Sequence, residues 1–317
     1  MTAKGPPRDG AGPGDASGSA SGAGHHGNLV DPQGAARGAL GRSARQRPGA
    51  TLAITSLQND RIKAIRALDM RKERKASGLF VAEGAALLMT ARDNGWTPET
   101  VVAHSGALES GAARDLAAWT RGTGADVLAV SEAVLGKLAS KDNPQSLLAV
   151  FRQRWAKLPD AGSIGPADVW LALEEIRDPG NLGTIVRTAD AVGAKGIVLV
   201  GTCCDPWSRE CVRATMGSIF AVPIVRTEPE AFLSWLGIWP GDAIATHLAA
   251  TDDFRTARFR RPSIVMMGGE GPGLSPALTE AATVRVKIPM AGRLDSLNLA
   301  VATALMLYQV RGPDLSI

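Results

Sequence analysis

From about Thr51 onward, short blocks of apolar residues alternate with stretches in which apolar residues recur every three or four positions. Blocks bounded by Gly, Pro or Asp predict buried strands, and the three-to-four spacing predicts helices. Ile62, Ile65 and Leu68 predict a helix over Asn59–Leu68, followed by a strand, L-F-V-A-E-G, that ends at Gly84. A helix to about Asn94, a strand at 100–104, a helix near 110–121, a strand at 125–130, a helix near 131–139 and a strand at 146–151 complete an α/β lobe of about 100 residues. Pro and Gly punctuate 154–167 as an interdomain linker would. Beyond it, strands are predicted at 169–175, 196–201, 221–226, 242–247, 263–268 and 284–288, and helices near 181–193, 208–218, 228–236 and 296–311. Strands that alternate with helices predict a mostly parallel sheet covered on both faces.

Composition changes this picture at one end. The first 50 residues are dense in Gly, Ala, Ser, Pro and Arg, and Met1, Leu29, Val30 and Leu40 are almost their only large apolar side chains. Such a segment cannot offset its ordering entropy by burial and reads as disordered; it also lacks the apolar core of a secretory signal. The expected organisation is a tail (1–50), a first lobe (51–152), a linker (153–167) and a second lobe (168–317). No apolar run approaches the ~20 residues of a membrane-spanning helix, so no membrane partner is expected. The three cysteines, Cys203, Cys204 and Cys211, are an odd number. They fit structural thiols of a reducing cytoplasm better than a disulfide framework or a zinc site.

The net charge of +4 is unevenly distributed. Seven Lys and Arg lie between Arg61 and Lys75, and Arg255–Arg261 (R-T-A-R-F-R-R) forms a second basic cluster. Arg61, Lys63, Arg71, Lys72, Arg74 and Lys75 are therefore candidate phosphate contacts on a basic helix, although a solvated helix face would look the same.

Three segments of the second lobe carry chemistry. In D-P-G-N-L-G-T-I-V-R-T-A-D-A-V-G (178–193), Leu182, Ile185, Val186 and Ala189 form one buried stripe and Asn181 is placed to cap the helix. Arg187 falls outside the stripe and, taken alone, reads as a surface arginine. In V-M-M-G-G-E-G-P-G-L-S (265–275) a strand runs into a loop with four glycines around Glu270. Neither a dinucleotide fingerprint nor a P-loop is present, and what remains is a backbone that a ligand can approach closely. In V-K-I-P-M-A-G-R-L-D-S-L-N (286–298) a strand ends at Pro289 and Ser296 is placed to cap a final helix, apolar on two faces as if a partner subunit covered one. Asn298 sits in that helix's first turn, where an amide needs hydrogen-bond partners.

In this order the three segments resemble the motifs of the SpoU/TrmH family of RNA ribose 2′-O-methyltransferases: N-x5-R-T-A (Asn181, Arg187, Thr188, Ala189), G-x-E-G-x-G-L-S (Gly268–Ser275) and I-P-M-x-G-x3-S-L-N (Ile288–Asn298). The first lobe, with I-T-S-L-Q-N-D-R-I-K-A-I and G-L-F-V-A-E-G, resembles the ribosomal-protein-L30-like (L30e-like) substrate-binding domain often fused to them. The resemblance implies an α/β fold, with a trefoil-knotted parallel-sheet (SPOUT) methyltransferase domain after a smaller α/β lobe. It implies S-adenosylmethionine as cofactor, lined by Thr246, Gly268, Ile288, Met290 and Leu297, no metal, and a homodimer formed through the knotted domain.

For the chemistry, the resemblance implies that Arg187 acts on the attacking ribose hydroxyl, with Ser296 and Asn298 orienting ribose and arginine, Glu270 holding the loop or the arginine, and Asn181 within the same catalytic set. Guanidinium groups stay protonated in proteins, so the expected contribution is charge on the developing alkoxide and the adjacent phosphate. The expected partner is structured RNA, ribosomal RNA before transfer RNA, because a separate basic lobe suits a large folded target. A non-catalytic RNA-binding protein and a nucleotide-binding enzyme are the alternatives, and cofactor binding discriminates among the three.

Overall fold

The computed structural model describes residues 47–139 and 145–315, so the low-complexity segment up to residue 46 lies outside the described residues. The first described residues are tied to the lobe that follows. The Gly49 N–H donates to the Arg121 carbonyl at 3.0 Å and the Ala50 N–H to Asp126 Oδ1 at 3.0 Å. They lead into a strand that the apolar pattern does not announce, β1 (Thr51–Ile54), because only Ile54 of its four residues is buried.

The first lobe continues through α1 (Asp60–Ala67), α2 (Arg71–Ser77), β2 (Leu79–Glu83), α3 (Ala85–Asp93), β3 (Pro98–His104), α4 (Gly111–Gly122), β4 (Asp126–Val130), α5 (Glu132–Leu138) and β5 (Leu147–Arg152). Its sheet runs β1-β4-β3-β5-β2. The first three strands are parallel, and β5 lies antiparallel between β3 and β2.

The basic stretch expected as one helix over 61–75 is two helices. Arg74 explains the break: its Nη1 donates to the carbonyls of Leu68 and Asp69, both at 2.8 Å, and so satisfies acceptors that the end of α1 leaves open. Arg74 is buried and consequently cannot meet RNA, a correction to its reading as a phosphate contact. Arg61 is ion-paired with Asp126 at 2.8 Å and Lys63 faces Asp60 at 3.5 Å, while Lys72 and Lys75 are exposed.

The second lobe consists of β6 (Val169–Glu174), α6 (Pro179–Ala191), β7 (Gly196–Val200), α7 (Arg209–Ala214), β8 (Ile224–Thr227), α8 (Pro229–Leu236), β9 (Asp242–Thr246), β10 (Asp252–Asp253), β11 (Ser263–Gly268), α9 (Pro276–Ala281), β12 (Val284–Lys287) and α10 (Leu299–Arg311). The order is β10-β12-β9-β11-β6-β7-β8, and every pairing is parallel, as alternation predicts. All six residues of β6 and of β11 are buried, which suits central strands covered on both faces. After β12, outside β9, the chain returns to pack α10 on α6 and β11. The helix expected over 208–218 stops at Ala214, because Met216 (φ 52°) and Gly217 (φ 108°) turn left-handed.

The two sheets share one core. Phe80, Trp96 and Phe151 of the first lobe interlock with Trp207 and Phe220 of the second, with centroids 4.8 to 6.2 Å apart. The Trp96 indole N–H donates to the Phe220 carbonyl at 2.8 Å. Arg74 Nε meets Asp205 Oδ2 at 2.8 Å, and Arg209 pairs with Asp69 at 2.6 Å and Glu83 at 3.6 Å. The stretch expected as a linker is a packed strap: the Ala156 N–H donates to the Ile224 carbonyl at 2.9 Å, and Trp235 Nε1 donates to the Pro159 carbonyl at 2.8 Å.

Candidate active site at the carboxyl ends of the strands

Loops leaving the carboxyl ends of β6, β9, β11 and β12 meet on one edge of the parallel sheet, where ligands bind in open α/β folds. The β6 loop enters α6 through Asp178, whose Oδ1 accepts the Asn181 N–H at 2.6 Å. Asp178, not Asn181, is therefore the cap. Pro179 favours the first helical position, which puts the cap before it and Asn181 inside the first turn, with its side chain free for other work.

That work joins the three motifs. Asn181 Nδ2 donates to Glu270 Oε1, and Asn181 Oδ1 accepts from Asn298 Nδ2 at 3.0 Å. Asn298 in turn caps α10, its Oδ1 accepting from the N–H groups of Ala300 at 2.9 Å and Val301 at 3.3 Å. The cap expected at Ser296 is thus two residues further on; Ser296 is exposed and makes no hydrogen bond to a described residue. Groups 89 and 117 residues apart in sequence form one hydrogen-bonded chain, Glu270–Asn181–Asn298.

The glycine loop is held from beneath. Glu174, the last residue of β6, is buried, and its Oε2 accepts the Ser275 N–H at 2.7 Å. Sequence reasoning missed it, although a carboxylate ending an apolar strand is itself a signal. At Gly268 a Cβ would lie 1.9 Å from the Gly273 carbonyl carbon, so the loop folds back over a position that only glycine can occupy. Gly273 adopts φ 72° and donates its N–H to the Gly269 carbonyl at 3.1 Å.

Thr246 and Gly268 end the adjacent strands β9 and β11, and Ile288 follows β12 on the other side of β9. Ile288 and Met290 are half-buried, Leu297 is 37% exposed, and Thr246 Oγ1 lies 3.3 Å from Met267 Sδ. Arg187 is exposed on α6 and makes no hydrogen bond or ion pair with any described residue. It is not part of the Glu270–Asn181–Asn298 chain.

Against known proteins, residues 168–308 match the model of the SpoU rRNA Methylase family and residues 59–149 that of the MRM3-like substrate binding domain. An uncharacterized tRNA/rRNA methyltransferase of Synechocystis is 35% identical over 272 residues, 81% of this chain and 93% of its own. The chain belongs to the SpoU rRNA methylase family. A 23S rRNA (uridine(2479)-2′-O)-methyltransferase of Streptomyces viridochromogenes is 30% identical over 85% of this SpoU chain and 95% of its own. The AdoMet-bound rRNA methyltransferase from Sinorhizobium meliloti has a crystal structure that aligns at TM-score 0.77 and 43% identity, over 84% of this chain and 99% of that one.

Proposed function

We propose that this chain is a methyltransferase that moves the methyl group of S-adenosylmethionine to a ribose 2′-hydroxyl of ribosomal RNA. The Glu270–Asn181–Asn298 chain carries the reading, because it draws the three motif segments together on the edge where Arg187 is left unspent. The strand ends suit the cofactor: Gly268 keeps one wall free of side chains, Thr246 contributes a hydroxyl, and Ile288, Met290 and Leu297 offer apolar surface to an adenosyl group.

When bound, S-adenosylmethionine supplies a methyl made electrophilic by its sulfonium charge. The attacking oxygen of the ribose 2′-hydroxyl would take that methyl and give its proton to solvent water, with S-adenosylhomocysteine as the leaving group. Arg187 stabilises the negative charge on that oxygen and holds the neighbouring phosphate; a placed donor of this kind contributes about 10²–10³ in rate. Asn181 and Glu270 hold the glycine loop against α6. Asn298 fixes the start of α10, with Ser296 beside it to meet the ribose.

A second copy of the chain is the partner for α10. Leu297, Val301, Leu305 and Tyr308 are between 37% and 52% exposed, and the last three lie with Asn181, Asn298 and Phe254 along a groove of about 600 Å³. Large apolar side chains left exposed side by side on one helix face suit contact with a partner. Ribosomal over transfer RNA is supported by the substrate-binding lobe and by the rRNA named for the Streptomyces and Sinorhizobium proteins. The same reading puts the enzyme in the cytoplasm. Its three cysteines are free, as suits a reducing compartment, and among the described residues no helix is long and apolar enough to cross a membrane.

The test is incubation with methyl-labelled S-adenosylmethionine and, separately, unmodified 23S rRNA and bulk tRNA, followed by alkaline hydrolysis. Label in an alkali-resistant dinucleotide from rRNA is expected. Label confined to tRNA would overturn the substrate, and label in neither would overturn the reaction.

A further inference from the structure

A cleft of about 510 Å³ opens where the two lobes meet, and the chemistry described above makes no use of it. Arg71 and Lys75 of α2, Trp155 of the strap, Arg226 of β8 and the loop Gly201–Pro206 after β7 form its walls. Because the sheet is parallel, that loop leaves the same edge as the catalytic loops. The Cys204 N–H donates to the Ile176 carbonyl at 2.7 Å, which ties the cleft directly to the β6 loop that delivers Asp178 and Asn181.

The charges in this cleft do not cancel. Asp205 faces it, but its carboxylate is taken by Arg74 from beneath and by the Trp207 N–H at 3.0 Å. Lys75 makes no hydrogen bond or ion pair with any described residue. Arg71 spends one N–H on the Cys203 carbonyl at 3.2 Å. The Arg226 guanidinium lies 4.8 Å over the face of Trp155, whose ring is backed edge-on by the buried Trp207 at 5.5 Å. Stacking of this kind orients a guanidinium while leaving its N–H edge open to an acceptor. Three cations thus face Glu228 as the one lining carboxylate without an ion pair. The buried Arg74 pair and the half-buried Arg209 pair join the two walls.

We infer that this cleft is a phosphate-binding subsite for the RNA strand that flanks the target ribose; the inference rests on the RNA-methylation reading above. Lys75 and Arg226, one from each lobe, each contact a backbone phosphate, and Arg71 closes the cleft over the strand. The contacts are with the backbone, so they set position and affinity and leave base identity to other parts of the surface.

The test uses full-length 23S rRNA transcript, full-length protein, and two double variants, Lys75→Glu/Arg226→Glu and the milder Lys75→Gln/Arg226→Gln. RNA affinity is measured across a salt series, with thermal midpoint and S-adenosylmethionine affinity as controls. Both variants are expected to fold and to bind the cofactor as wild type does. RNA affinity is expected to fall tenfold or more for charge reversal and less for neutralisation. The slope of log affinity against log salt is expected to shrink by about 1.4, the single-strand value for two lost phosphate contacts. Wild-type affinity and slope in both variants, with wild type binding and methylating the transcript, would overturn the subsite alone. A wild-type protein that neither binds nor methylates RNA would overturn the methylation reading and the subsite with it.

Discussion

At the junction between the lobes, the buried Arg74 reaches three acceptors and the half-buried Arg209 two carboxylates. On the strand-end edge, Arg187 reaches none among the described residues. Both kinds of arginine sit on helices, and nothing in residue type separates them. What separates them is whether the fold has already used the charge. A buried guanidinium must be paired, because leaving it unpaired costs several kcal/mol. An exposed and unpaired one is available to a ligand, and in the proposed reaction that ligand is the RNA backbone beside the asparagine chain.

Arg74→Ala breaks the comparison at its structural end. It strands Asp205 and uncovers the carbonyls at the end of α1, so the expected loss is about 3–5 kcal/mol of stability, the range for one missing partner of a buried pair, read by denaturant unfolding. A loss below about 1 kcal/mol would mean that the pair does not hold the lobes together. Asn298 sits on the boundary, being both a cap and a link to Asn181. Asn298→Ala is expected to cost about 0.5–2 kcal/mol, the usual range for a lost cap. Asn298→Asp keeps the cap oxygens but loses the Nδ2 donor to Asn181. It should therefore keep most of the stability while turnover falls, and equal turnover in Asn298→Asp and wild type would separate the cap from the chemistry.

The second lobe was largely legible in the sequence because its strands are continuous apolar blocks and its helices carry one stripe each. The motif segments stood out for a related reason: Asn181, Glu270 and Asn298 are polar residues in apolar or glycine-rich settings that burial alone does not explain. Their mutual hydrogen bonds were not legible, since they join groups 89 and 117 residues apart. Cap positions were misplaced by three residues at α6 and two at α10. Several polar residues at each entry can cap, and only the turn of the chain selects among them. The lobe junction was hidden for the same reason as Glu174: Arg74 and Asp205 are 131 residues apart, and Glu174 and Ser275 are 101 apart. A packed strap and a free linker also share the same Pro and Gly punctuation, so 153–167 could be told apart only by what it packs against.

The proposed reaction assigns Arg187 to catalysis and not to the fold. The most direct test is Arg187→Ala, assayed together for methyl transfer to 23S rRNA, S-adenosylmethionine affinity and unfolding free energy. Turnover should fall by about 10²–10³ or more, with cofactor affinity unchanged and stability within about 0.5 kcal/mol of wild type, as for an exposed side chain without partners. Loss of cofactor binding or of stability alongside turnover would make Arg187 a structural residue and contradict the account.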